Sequence, residues 1–361
     1  MCSRLLPCLA LVCQSLLAQP PSAPPRPEVQ GFIQELVKAQ GFKAEELAQL
    51  IAGVHPDPRV LALAAPAQTA LPKNWRVYRS HFLDRATVRA GAQFWRQHGA
   101  SLARAEKEYG VSAEIIAGIL GVETLYGRHM GSFPVLDTLV SLSFDYPEGP
   151  TRATRTELFR QQLSDYLVWC RDSHQDVHAF TGSFAGAIGI PQFLPGSIRA
   201  YGVDFDGDGR VDLVTSPDDA IGSVARFLQA HGWQPGRPVL WRLASDASSG
   251  RVLKARADGD PALKHRLGDL LKEGLHPAVA ASTRKTELES KVLLVDLPSP
   301  GRATEYRIGF QNFYTITRYN HSFFYAMAVA ELGRAVRVAA KAATSKARPA
   351  RPSNAGGSGR G

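Results

Sequence analysis

From Asn74 to Trp233 apolar residues recur at helical spacing, interrupted only at residues 146–150 and 182–209. Helices patterned in this way must bury their apolar stripes against one another, so the body of the chain is expected to be a mainly α core. No disulfide framework is available to replace it. Three of the four cysteines, Cys2, Cys8 and Cys13, lie in the first residues, which leaves Cys170 alone. The remaining length suits one large domain, or a main domain with satellites, held by an ordinary apolar core.

The first residues read as an export signal. Arg4 is the only charge before an apolar run from Leu5 to Ala18, too short to span a bilayer comfortably, and a Pro-rich stretch follows. Lipoprotein processing at Cys13 is the alternative, against which Val12 stands where a small residue is expected. The chain thus divides into a signal (1–18), a Pro-rich linker (19–26) and an N-terminal region of small helices (27–73). A helical core (74–235), a small β-containing subdomain (236–308), a segment returning to the core (309–341) and a basic disordered tail (342–361) complete it. Strands are expected at Val239–Leu243, Lys291–Leu297 and Tyr306–Phe310, with a helix near 269–274 between them. The formal charge of +9 is partly a tail effect, since residues 334–361 carry seven basic and no acidic side chains. That balance suits an anionic surface such as wall or membrane. Nucleic acid is a poor partner for an exported chain without a nucleic-acid motif.

Within the helical core, residues 112–128 place Ile116, Ile119, Leu120 and Glu123 on one face, with Ser112 as N-cap and Gly127 as stop. A carboxylate facing a core is costly to ionise, so Glu123 could hold a proton near neutral pH, as a general acid must. The same position also allows a glutamate that turns to solvent or pairs with Arg128.

Three further segments carry chemistry. Asp204-Phe-Asp-Gly-Asp-Gly-Arg-Val-Asp212 matches the start of an EF-hand loop, with Asp204, Asp206, Asp208, the Arg210 carbonyl and Asp212 at ligand positions. Thr215 stands at the twelfth position instead of a bidentate Glu, so weak binding of a structural Ca2+ (or Na+) is expected. In residues 182–193, Ser183 and Gln192 are polar exceptions in a glycine-rich apolar run. Residues 312–325 are dense in aromatics and amides, a mixture suited to sugars, with Tyr319, Asn320, His321 and Tyr325 at its centre. Tight helix packing accounts for the glycine-rich segment equally well; an aromatic stripe is more often a core helix, but Asn320 and His321 between the tyrosines favour a site.

Gly121-Val-Glu-Thr, Gly182-Ser-Phe-Ala-Gly-Ala, Asp218-Asp-Ala-Ile-Gly-Ser-Val-Ala, Ala230-His-Gly-Trp233 and Asn312-Phe-Tyr-Thr-Ile-Thr-Arg-Tyr-Asn-His-Ser, in this order, resemble the membrane-bound lytic murein transglycosylase B family over roughly residues 30 to 340. The resemblance implies a lysozyme-like α core with an accessory helical region and a small inserted β-containing subdomain. It implies cleavage of the MurNAc–GlcNAc β-1,4 bond of peptidoglycan, with Glu123 as sole catalytic carboxylate, first acid and then base, closing a 1,6-anhydro ring. It also implies substrate contacts from Tyr78, Ser183, Gln192, Tyr319, Asn320 and Tyr325, and no cofactor for the chemistry.

Two departures stand out: Phe227 replaces a family tyrosine, and an insertion after Pro147 leaves only Arg152 and Arg155 for the family's paired arginines, so Arg155 is the candidate stem-peptide contact. The expected partners are glycan strands and a cell-wall synthesis complex. The protein is expected to be a monomer in the periplasm, with anchoring to the outer membrane as the alternative. A hydrolysing muramidase would need a second carboxylate, for which Asp137 and Asp145 are the nearest in sequence; Asp137 reads instead as a helix N-cap. A non-catalytic peptidoglycan binder would keep the aromatic groove and not need Glu123.

Overall fold

The computed structural model describes residues 26–66, 72–278 and 285–346. The export signal, most of the linker and the tail beyond Lys346 lie outside the described residues. The chain divides into two compact units, one through Gly53 and the other from Val54 onward. The first holds helices α1 (Pro27–Gln40) and α2 (Ala44–Ala52), whose Phe32, Ile33, Leu36, Leu47 and Ile51 are buried.

The second unit begins with α3 (Pro58–Ala64), so the boundary falls inside the region 27–73 that the sequence suggested as one piece. Then come α4 (Trp75–Ser80), α5 (Arg85–Gln97), α6 (Gly99–Tyr109), α7 (Ala113–Thr124), β1 (Phe133–Pro134), α8 (Val135–Phe144) and α9 (Arg152–Asp172). After β2 (Thr181–Gly182), which pairs antiparallel with β1, follow α10 (Pro195–Tyr201) and α11 (Pro217–Ala230). The β-containing part runs through β3 (Leu240–Arg242), α12 (Ala247–Arg256), β4 (His265–Arg266), α13 (Leu267–Lys272), α14 (Lys285–Leu288), β5 (Lys291–Leu297) and β6 (Glu305–Gly309). Its strands form an antiparallel sheet in the order β3-β6-β5-β4, with Leu294 opposite Ile308 and Asp296 opposite Tyr306. Val252, Leu253, Leu267, Leu270, Val292, Leu294 and Ile308 make a separate small core beneath the sheet. Helices α15 (Gln311–Thr317) and α16 (Phe323–Lys346) return the chain to the main body, and α16 continues past the expected start of the tail at Ala342.

Helix α7 differs from its expected one-faced pattern. Ile115, Ile116, Ala117, Ile119 and Leu120 are all buried, so it threads the core with neighbours on every side. Its closest neighbour is α16. A Cβ on Gly118 would lie 2.3 Å from the Val329 carbonyl oxygen, and one on Gly333 would lie 1.9 Å from the Glu114 carbonyl oxygen. Backbones meet there because neither position has a side chain. Among the described residues no helix is long and apolar enough to cross a membrane.

Gly→Ala normally favours a helix by roughly 0.5–1 kcal/mol. At Gly333 the sign should invert, because the new methyl meets backbone that cannot yield, at a cost of about 1–3 kcal/mol. Thermal denaturation should therefore place Gly333→Ala several degrees below wild type, while Gly31→Ala in α1, where nothing lies within 4 Å of the added methyl, is neutral or stabilising.

Candidate active site

Glu123 stands on the last turn of α7. The helix stops earlier than Gly127: Leu125 (φ 51°) and Tyr126 (φ 61°) already adopt left-handed backbone, and Gly127 follows at φ 88°. The Leu125 and Tyr126 amides donate to the carbonyls of Gly121 and Leu120. Two consecutive non-glycine residues in this region cost on the order of 1–3 kcal/mol each, so something must hold them. The Tyr126 ring does so by stacking on Phe94 at 4.9 Å. Its hydroxyl is driven so far in that a Cβ on Gly121 or Gly91 would lie 2.5 or 2.3 Å from it. That hydroxyl is buried without a hydrogen-bond partner among the described residues.

Thr124, fully buried beside Glu123, donates to the Ile190 carbonyl at 2.8 Å and accepts from the Gly127 amide at 2.9 Å. It fastens the end of α7 to the glycine-rich loop. Neither Thr124 nor Tyr126 carries a role in the sequence reading; the available signal was their place immediately after Glu123.

The Glu123 carboxylate meets phenols. Tyr325, on α16 and 2 % exposed, donates its hydroxyl to Glu123 Oε1 at 2.5 Å. Tyr319 lies parallel to Tyr325, ring centroids 6.3 Å apart, and donates to the Pro191 carbonyl at 2.5 Å. Tyr78, on α4, packs on Trp75, Phe82 and Phe324. Burial first and the Glu123 charge second raise the pKa of both Tyr78 and Tyr319, which sets these two phenols around the same carboxylate. Burial pushes Glu123 itself up to about 7, against the Tyr325 hydrogen bond, which lowers it. No charged side chain contributes to that shift. Arg128 is exposed and does not pair with it. Asp137 is not the N-cap of α8, a place taken by Pro134; it lies in the first turn, and its charge reaches Tyr166. Asp145 is the C-cap residue of α8.

The glycine-rich loop presents the other polar candidates. Ser183 Oγ accepts from the amides of Ala185 and Ala187, at 3.2 and 3.0 Å, which leaves its own hydrogen to donate. Gln192 (φ 50°) donates its side-chain amide to the carbonyls of Met130 and Gly189, at 3.0 and 2.9 Å, so what it has left to offer is Oε1. Asn320 is exposed on the turn after α15. Arg155 is exposed on α9 and makes no contact with the Glu123 cluster, while Arg152 is held by Glu148 and the Tyr146 carbonyl.

The acidic loop is ordered by its own amides. Asp204 accepts from Gly207, Asp208 and Gly209, and Asp212 from Val214, Thr215 and the Thr215 hydroxyl. Arg210 turns its side chain onto Asp208 and Asp212. The carboxylates that converge are Asp204, Asp206 and Asp219, with one oxygen of each within 4.8 Å of the others. Asp219 is fully buried, and the amides of Phe205, Asp206 and Asp212 are its hydrogen-bond partners. It was missing from the expected ligand set. The signal was Asp219 three residues after Ser216, whose hydroxyl caps α11 and donates to Asp206. The loop continues into Leu213, whose carbonyl accepts from the Ile190 amide at 2.8 Å, next to Gln192.

A family model described as a transglycosylase SLT domain matches residues 25–334. The chain belongs to that family. It is 39% identical over 324 residues to membrane-bound lytic murein transglycosylase B of Escherichia coli (strain K12), covering 87% of this chain and 83% of the relative. Among solved structures it resembles the soluble lytic transglycosylase SltB1 from Pseudomonas aeruginosa, with a TM-score of 0.76 and 40% identity over 87% of this chain and 99% of that one. It also resembles the Escherichia coli lytic transglycosylase Slt35 in complex with calcium, with a TM-score of 0.75 and 38% identity over 87% and 94% of the two chains. The architecture is the mostly helical, lysozyme-like fold of the SLT transglycosylases. Phe227, expected to replace a family tyrosine, is buried, stacks on His231 at 4.0 Å and meets Tyr319 edge-on at 4.8 Å, so its ring backs the phenol cluster.

Between pH 4.5, where an ordinary glutamate ionises, and about 7, folded Glu123 holds a proton that the unfolded chain has lost. Stability contributed by this group therefore declines as pH rises through that interval. Glu123→Gln keeps an acceptor for Tyr325 and no charge, so its melting temperature should exceed that of wild type at pH 8 and match it near pH 4.

Proposed function

We infer that this protein is a lytic murein transglycosylase that cleaves the MurNAc–GlcNAc β-1,4 bond of peptidoglycan and closes a 1,6-anhydro ring on the MurNAc product. The observation that carries this is a carboxyl group pushed up to about 7 by burial, hydrogen-bonded by Tyr325, with no other carboxylate among the described residues contributing to the shift. With Oε1 accepting from Tyr325, the proton of neutral Glu123 sits on Oε2, which faces the glycosidic oxygen. Transfer of that proton to the leaving oxygen accompanies rupture of the C1–O bond. The resulting carboxylate takes the proton of the MurNAc C6 hydroxyl as that oxygen bonds C1, which returns Glu123 to its starting state. The substrate's acetamido oxygen stabilises C1 between the two steps, so no second carboxylate is required. The Ser183 hydrogen and Gln192 Oε1 offer one donor and one acceptor to the sugar, Tyr78 and Tyr319 supply ring faces, and the buried Tyr325 holds the carboxylate that faces it. Asn320 adds an amide at the rim, and Arg155 meets stem peptides farther out. The apolar run at the start of the chain supports export to the periplasm.

A structural cation fits Asp204, Asp206 and Asp219, hard oxygen donors that include a buried carboxylate with only amides for partners. Such an ion would tie the acidic loop to α11 and, through the Leu213–Ile190 hydrogen bond, steady the Gln192 loop. It supplies no step of the chemistry.

Mass spectrometry of peptidoglycan digests should show fragments ending in 1,6-anhydro-MurNAc with wild type, and a loss of turnover of at least about 10²–10⁴-fold with Glu123→Gln. Activity should fall as pH rises through about 7. Reducing-end MurNAc instead would mean that water attacks, and intact sedimentation onto peptidoglycan without any products would indicate a binding protein. Saturating calcium should raise the melting temperature by on the order of 5 °C, and Asp219→Asn should remove that response. A chelator-insensitive wild type would show that no ion binds.

A further inference from the structure

A cavity of about 250 Å³ opens on the far side of Tyr78 from Tyr319 and Tyr325, neither of which lines it. Tyr78 and Phe324 line it, and so do three ionisable side chains, Lys73, His321 and Asp296. Asp296 is the anomaly. It stands in β5 in the run Lys-Val-Leu-Leu-Val-Asp-Leu, on the same strand face as Val292 and Leu294 of the subdomain core, yet it is only partly buried. Its carboxylate has no hydrogen bond or ion pair to any described residue, and although Lys73 lines the same cavity the two do not pair with each other. Opposite charges thus face one space without neutralising each other.

The surrounding backbone is fixed. Two residues beyond Asp296 the Pro298 carbonyl accepts from the Trp75 amide at 2.8 Å, and Ser299 Oγ accepts from the Arg76 amide at 3.2 Å, so β5 is joined to the first turn of the helix that carries Tyr78. Beside Asp296, where a Cβ on Gly259 would lie 3.8 Å from its Oδ1, Lys264 pairs with both Asp258 and Asp260, which holds that turn with its acids already neutralised.

We propose that this cavity binds the peptide stem carried by the MurNAc residue next to the scissile bond, Lys73 pairing with a stem carboxylate and Asp296 with a stem amine. The proposal rests on the transglycosylase reading above. A stem leaves the sugar through the lactyl ether at C3 and carries both charges, as the cavity does. Tyr78 lines the cavity and also feels the Glu123 charge, so a chain leaving a sugar seated on the phenols meets this space first. Arg152 is engaged by Glu148, and Arg155 lies apart from the cluster, which leaves recognition close to the sugar to another element.

The test compares kcat/KM for release of anhydro products from strands with intact stems and from strands stripped by an amidase, for wild type, Lys73→Ala and Asp296→Asn. Wild type should prefer stem-bearing strands, and each substitution should cut that preference about tenfold, the effect of one charge-assisted hydrogen bond. A wild-type ratio of one, or a ratio that neither substitution moves, overturns the proposal. Anhydro products from stripped strands report the underlying activity separately. If wild type releases none from either substrate, that activity is refuted, and calorimetric titration with the free synthetic stem tetrapeptide decides the cavity: binding lost in Asp296→Asn supports it, and no binding to wild type refutes it.

Discussion

Helices α7 and α16 touch backbone to backbone at Gly118 and Gly333, and the rest of the site depends on that contact. Glu123 is on one of these helices and Tyr325 on the other, 202 residues apart in sequence, yet their oxygens lie 2.5 Å from each other. A side chain at either glycine would push the axes apart by more than a hydrogen bond tolerates. The same closeness leaves the carboxylate only partly exposed, and burial is the leading cause of its raised pKa. Packing and acidity are therefore one property of this pair of helices.

Around that axis the site is assembled by short fasteners. The left-handed turn at Leu125–Gly127 is unfavourable by itself, and the Tyr126 ring locked against Phe94, Gly91 and Gly121 keeps it in place. Thr124 ties the turn to Ile190, Gln192 ties the loop to Met130 in the segment after the turn, and Tyr319 ties the turn after α15 to Pro191. The first two bonds link the glycine-rich loop to the end of α7 and the segment after it, and the third links the same loop to the turn after α15. Polar atoms engaged in this way cannot also hold substrate, which limits Gln192 to an acceptor and leaves Ser183 as the donor.

The helical core, the three longer strands and the Glu123 segment were legible because periodicity and local motifs carry them. Helix α12 and the two-residue strand β4 were not, since the first has a weak apolar stripe and the second exists only by pairing with Lys291 and Val292. The exact stop of α7 was misplaced because glycine is the usual left-handed residue, and here Leu125 and Tyr126 take that role under tertiary restraint. Asp219 escaped because its carboxylate reaches the acidic loop from a helix seven residues beyond Asp212, a relation that loop spacing does not encode. Tyr319 and Tyr325 were found through composition, but their distinct duties, one anchored to a carbonyl and one holding the carboxylate, are visible only in three dimensions.

The central claim is that Glu123 is a neutral acid held by a phenol. Carbon-13 NMR of the labelled Glu123 carboxyl, followed from pH 4 to pH 9 in wild type and in Tyr325→Phe, tests it most directly. The account predicts a midpoint near 7 in wild type and a higher one in the variant, because the hydrogen bond that favours the carboxylate is gone. A wild-type midpoint near 4.5, or a fall in the variant, would contradict it.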